Sequence, residues 1–345
     1  MNIQKNKFST TVYGVKGLCA IFIIIYHYSV YYTQYINPDR PSAINFAELT
    51  VAVPIFFIFS SFFLYDKALK SKKAIYIIRY RLTRLYPMYW ISVIYSSLIL
   101  ILNGRNISAK EFILNLSMLE KLFGVDHLDG AYWTLFYELM LLFIIASGAI
   151  VSSHNTKLLY KPLSFCYIWL VFSGIGSAII KLNGIDNSTN AVMMFASRYA
   201  AVFVSGIAFH SFFVSNNLSK NQFVLLLIAS ITHALIFSEN LKHGIHAVIS
   251  ILICIFIFKG FLDGVPCFTQ GILVDIGKKS YNIYLTHNIF GKYCIKLLSR
   301  YNIANPVINI FICIIIGILA VLIGFAFSPI EKKIISLFPS ADLQR

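Results

Sequence analysis

Two histidines and one glutamate stand inside, or at the rim of, long apolar runs: His27, Glu138 and His287. An ionisable group at the centre of a membrane costs roughly 2.5 kcal/mol or more, so each of the three is a candidate for chemistry. Imidazole titrates near neutrality and can take a proton from a hydroxyl, which makes His27 a candidate general base or acyl acceptor. The plain alternative is a neutral histidine hydrogen-bonded inside a bundle. His287 is a second mid-membrane imidazole, and a pair points to a polar pocket rather than to two packing accidents. Glu138 needs a partner or a water-filled cavity at its depth. It could orient an incoming hydroxyl or steady a protonated His27, or it could form a structural ion pair, for instance with Arg198. His210, His233 and His246 read as structural or interfacial.

Three cations complete the constellation. Lys16 precedes His27 by 11 residues, which is three turns at about 3.6 residues per turn, so both point from one face of a first helix. At about 1.5 Å per residue, His27 lies about 16 Å deeper than Lys16. Arg81 and Arg84 share a helical face at i, i+3. Two guanidinium forks there suit a phosphate-bearing ligand, whereas the ordinary reading is anchoring at the cytoplasmic face.

What must hold these groups is helix in lipid. Of 345 residues, 58% are hydrophobic and 12% charged, against about 25% charged in a soluble domain. A crossing helix needs about 20 apolar residues. The chain offers runs at 18–36, 51–65, 85–102, 134–152, 164–182, 192–214, 223–238, 245–263, 280–298 and 306–328. The expected fold is all-α, a polytopic membrane helical bundle of about ten transmembrane helices.

Lys and Arg set the orientation. Between 66 and 84 lie Lys67, Lys70, Lys72, Lys73, Arg79, Arg81 and Arg84. With the N-terminal tail, the 153–163 and 259–279 connections and Lys332-Lys333, they fall on one side under a ten-span count. The positive-inside rule makes that side the cytoplasm, with both termini there and the 103–132 loop outside. A short amphipathic helix is expected around 111–122 of that loop. Cations so placed account for the net charge of +15 without nucleic acid. Six cysteines scattered singly, with no C-x-x-C pair, argue against a metal knuckle or a disulfide framework. Lys5, Lys7 and Lys16 before an apolar stretch look like a signal peptide, but no small-x-small site follows, so the segment reads as an uncleaved first span.

Five blocks together resemble the acyltransferase type 3 family of bacterial membrane proteins. Val15-Lys16-Gly17-Leu18-Cys19-Ala20 running on to His27 is similar to the family's G-[LI]-R-[AG] opening and its histidine, with Lys16 in the arginine's place. Phe56-Phe57-Ile58-Phe59-Ser60-Ser61-Phe62-Phe63-Leu64 resembles F-F-x-x-S-G-F-x-[LM], with Ser61 where glycine is usual. Arg81-x-x-Arg84 followed by Pro87 resembles R-x-x-R-[IL]-x-P. Trp133-Thr134-Leu135-x-x-Glu138 resembles W-S-L-x-x-E, and Ser280-Tyr281-x-x-Tyr284-Leu285-x-His287 resembles S-Y-x-x-Y-L-x-H. The blocks occur in the family's order across 15–287.

The resemblance implies one integral-membrane acyltransferase domain over 1–345, in the bacterial inner membrane. It implies transfer of a short acyl group, usually acetyl, from cytoplasmic acyl-CoA to a hydroxyl of an envelope glycan or lipid-linked glycan, such as O-antigen, capsule or another exopolysaccharide. His27 becomes catalytic, with Glu138 and His287 beside it, and Lys16, Arg81 and Arg84 become the donor site. Acetyl-CoA is the only cofactor expected and no metal is. The rival from a different class is a secondary transporter or a flippase of a lipid-linked glycan, which would show repeats with Gly/Pro-broken helices; none is visible.

Overall fold

The computed structural model describes residues 2–38, 46–71, 73–153, 157–182, 199–238, 240–263, 271–301 and 305–337. Among them every regular element is a helix. The long helices are α1 (Asn2–Tyr35), α2 (Ala52–Ser71), α3 (Ala74–Leu102), α5 (Trp133–Val151), α6 (Pro162–Leu182), α8 (Lys220–Phe237), α9 (Leu241–Leu262), α11 (Ser280–Leu298) and α12 (Pro306–Ala326). The short ones are α4 (Ala109–Asn115), α7 (Ala200–Phe213), α10 (Ile272–Lys278) and α13 (Ser328–Ser336).

Eight helices among the described residues are long and apolar enough to cross a membrane. They correspond to eight of the ten expected runs, and the chain is a multi-pass membrane protein. The run at 192–214 is represented by α7, an apolar helix of 14 residues, its first part lying outside the described residues. The run at 280–298 is α11, 19 residues long, whose buried face carries Ser280, Asn282, Thr286, His287 and Asn288. That face is too polar for α11 to count among the eight.

The chain divides into two compact units. The first comprises 1–52, 84–133 and 266–338. In it α1 packs on α10, α11 and α12. Glycine sets the spacing, because a Cβ at Gly17 would overlap the Leu273 carbonyl oxygen and one at Gly277 that of Tyr13. A Cβ at Gly291 would run into the ring of Tyr28, so the Tyr28 ring of α1 lies directly on the α11 backbone there.

The second unit comprises 53–83 and 134–265. Here α6, α7, α8 and α9 pack on one another. Phe57 meets Tyr199 edge-on at 4.8 Å and Phe203 at 5.0 Å, and Phe209 stacks on Phe258 at 4.8 Å. Ser61 departs from the glycine usual in the resembled segment, and α7 supplies the missing space. A Cβ on Gly206 would overlap both the Ser61 hydroxyl and the Ile58 carbonyl. His210 Nε2 donates to Asp66 Oδ1 at 3.0 Å inside this bundle.

Two local expectations are corrected. The stretch 66–84 is not an open connection, since α2 runs to Ser71 and α3 starts at Ala74. Lys67 and Lys70 extend one helix, and Arg79, Arg81 and Arg84 open the next. Hydropathy ends where lysines begin, but the backbone hydrogen-bond ladder does not. The helix expected at 111–122 also stops early. Ser108 caps α4 by accepting from Glu111 N–H at 3.1 Å, and Met118 at φ 62° breaks the right-handed path before a 3₁₀ turn at Glu120–Phe123.

Candidate active site

The two histidines come together in the first unit. His27 is on α1 and His287 on α11, with ring centroids 5.3 Å apart and ring planes at 54°. His287 Nδ1–H donates to the Tyr284 carbonyl at 2.8 Å and is within 3.2 Å of the Ile283 carbonyl. Those acceptors place the proton on Nδ1 of the neutral ring and leave Nε2 as an acceptor. His287 Nε2 is buried and has no hydrogen-bond partner among the described residues. His27 is half-buried and lies against rings, with Tyr26 at 5.0 Å and Tyr31 stacked at 6.2 Å.

Two hydroxyls just after His27 hold α1 to α11. Tyr28 OH donates to the His287 carbonyl at 3.1 Å. Tyr31 OH donates to Asn288 Oδ1 at 2.6 Å. The Asn288 amide in turn donates to Asp129, which is buried at the end of the 103–132 loop. Burial pushes the Asp129 carboxyl up from the usual carboxylate range, against the pull of the N–H donors around it. The sequence reading passed over Tyr28, Tyr31, Asn288 and Asp129. A usable signal existed for one of them, because an Asp just before a helix-opening run is an N-cap candidate. Nothing local in the sequence marks the tyrosines out from interfacial ones.

Glu138 and Arg81 come together in the second unit. One Arg81 Nη donates to Glu138 Oε2 and lies 2.6 Å from the Ser60 hydroxyl, which itself donates to Glu138 Oε2 at 2.6 Å. The side chains of Arg81 and Glu138 are only 15% and 13% exposed. The ion-pair reading of Glu138 therefore has Arg81 as its partner; Arg198 lies outside the described residues. Ser60 was quoted only as part of a motif, yet it is the third member of this cluster.

Lys16 sits on α1 in one continuous helix with His27, as the spacing requires. Arg84 shares α3 with Arg81, one turn further on. All six expected site residues thus lie on helices, and the five motif blocks become parts of α1, α2, α3, α5 and α11.

Comparison with known proteins agrees with the motif reading. No curated protein and no solved structure matches the chain. A protein-family model does, the acyltransferase-3 model described as an acyltransferase domain, over residues 12–328. That span takes in every motif block and all but the ends of the 345 residues, so the chain belongs to the acyltransferase type 3 family and is a membrane acyltransferase.

Proposed function

We propose that this chain is an O-acyltransferase that moves an acyl group, most simply acetyl, from cytoplasmic acyl-CoA to a hydroxyl of a cell-envelope glycan. The observation that carries the reading is the His27–His287 pair at 5.3 Å, with one imidazole pinned by backbone carbonyls and its Nε2 unpartnered among the described residues. In the proposed step His27 takes the acceptor hydroxyl proton while the hydroxyl oxygen bonds to the thioester carbonyl carbon. The C–S bond breaks, and the CoA thiolate takes the proton from the imidazolium. His287 Nε2 accepts a hydrogen bond from the acceptor or from protonated His27.

Lys16 and Arg84 are assigned to the phosphates of the donor, which point charges and guanidinium forks suit. Arg81 keeps N–H groups beyond those used on Glu138 and Ser60, and Glu138 Oε1 can orient a hydroxyl. The cation-rich ends of α2 and α3 support a cytoplasmic face for the donor and cytoplasmic termini, in the inner membrane. Two measurements test this reading. Cysteine labelling at Ser108 and at the C-terminus should report opposite sides; matching sides overturn the topology. Mass spectrometry of envelope glycans should show O-acetyl groups lost on deletion and restored by the wild-type gene, and an unchanged acetyl content contradicts the proposal.

A further inference from the structure

Asp129 does more than a capping residue requires. It precedes the 3₁₀ turn Gly130–Tyr132 that leads into α5, and its Oδ1 accepts from Ala131 N–H at 2.8 Å. That one bond caps the turn. Two further donors come from α11: Ile289 N–H at 3.0 Å to Oδ2, and the Asn288 side-chain amide to Oδ1. An isolated amide can present either end, but a neighbouring carboxylate oxygen fixes which end is which. With Nδ2 turned to Asp129, Asn288 Oδ1 is left to accept from Tyr31 OH at 2.6 Å. Tyr31 is one turn beyond His27 on α1, and its ring stacks on the imidazole at 6.2 Å with 20° between planes. The contacts form a line: carboxylate, amide, phenol, imidazole.

We propose that Asp129 is a positioning residue for His27, acting through Asn288 and Tyr31. The proposal rests on the reading of His27 as the base. A base must come within hydrogen-bond reach of the proton it takes, and a displacement of about 1 Å can cost about 10²-fold in rate. A ring stacked on a tyrosine that is clamped from behind has little room to swing. The carboxylate is needed in its acceptor form, because Asn at 129 would face one of its N–H donors with an amide hydrogen.

The test is a double-mutant cycle on the purified full chain, with labelled acetyl-CoA and a membrane glycan fraction as acceptor. Asp129→Asn, Asn288→Ala and Tyr31→Phe are each expected to lower kcat by about 10- to 100-fold while the KM for acetyl-CoA stays unchanged. Asp129→Asn combined with Tyr31→Phe should fall no further than the worse single variant, since both cut one line of contacts. Losses that multiply, or a rise in KM in place of the kcat loss, overturn the proposal. If Asp129→Asn does not accumulate folded, the cycle of Asn288→Ala with Tyr31→Phe asks the same question with the carboxylate and its two backbone donors left in place. His27→Ala in the same assay separates the two readings. Activity in His27→Ala removes the base on which the positioning depends, whereas an inactive His27→Ala beside a fully active Asp129→Asn removes the positioning alone.

Discussion

The His27–His287 pair and the Arg81–Glu138 pair put polar chemistry into apolar surroundings in opposite ways. In the second, each charge answers the other and Ser60 serves both, so the charges are paired before any ligand arrives, with Arg81 Nε alone left without a partner among the described residues. In the first, one imidazole is tied down by Nδ1 alone and keeps an Nε2 without a partner among the described residues, and the other lies among rings. A satisfied pair contributes to holding a fold; an unsatisfied one costs stability and is retained where the open valence is used. On the proposed reading the histidines carry the acyl transfer and the ion pair chiefly holds the fold.

Substitution should pull the two apart. His27→Ala is expected to cost about 10²–10⁴-fold in kcat, the usual worth of a general base, with no loss of thermal stability, because a half-buried ring without a charge partner is being removed. A drop in unfolding temperature as large as that of the next variant would erase the contrast. Arg81→Ala should do the reverse and cost roughly 3–5 kcal/mol of stability, since it strands the Glu138 carboxylate away from water. Denaturation of the detergent-solubilised protein checks this, and Arg81→Ala combined with Glu138→Gln should recover part of the loss.

Arg84 sharpens the donor side. Arg84→Ala should raise the KM for acetyl-CoA by an amount worth about 1.5–3 kcal/mol, the value of a hydrogen bond to a charged group, and leave the KM for the acceptor alone. An unchanged donor KM would make Arg84 a membrane anchor. The smallest effect is expected from an ion pair in water. Asp126 is 82% exposed and accepts from Lys121 at 2.5 Å. Its removal as Asp126→Asn should shift stability by no more than about 1 kcal/mol. Lys121 holds the Asp126 carboxyl below the usual carboxylate range. Whatever the pair contributes is therefore present above the unfolded carboxylate pKa and is lost as pH falls through the lower folded one. Wild type and Asp126→Asn should converge in unfolding temperature in acid, and divergence there would contradict the sign.

Much of this was legible from residue types. The class of fold followed from the scarcity of charge, and α11 was bounded at 280–298 although it is too polar to count among the eight apolar spans. The Lys16–His27 face followed from helical period. Partners were harder, because contacts between helices far apart in sequence leave no periodic trace. Glu138 lies in the second turn of α5, but Arg81, its partner, stands 57 positions away in the sequence. Asp129 is one charge among several in the 103–132 loop, and its two donors from α11 could not be read from neighbours. Helix ends were misjudged between 66 and 84 because hydropathy marks the lipid boundary, whereas hydrogen bonding marks the end of the helix.

The most direct measurement follows labelled acetyl-CoA in the purified wild-type chain and in His27→Gln, with donor binding and acetyl transfer to a membrane glycan fraction read separately. Glutamine can keep a structural hydrogen bond but cannot cycle a proton. Donor binding equal to wild type with transfer lower by about 10²-fold or more is the predicted result. Transfer by His27→Gln within a few-fold of wild type would contradict it, and the base would then have to be sought at His287.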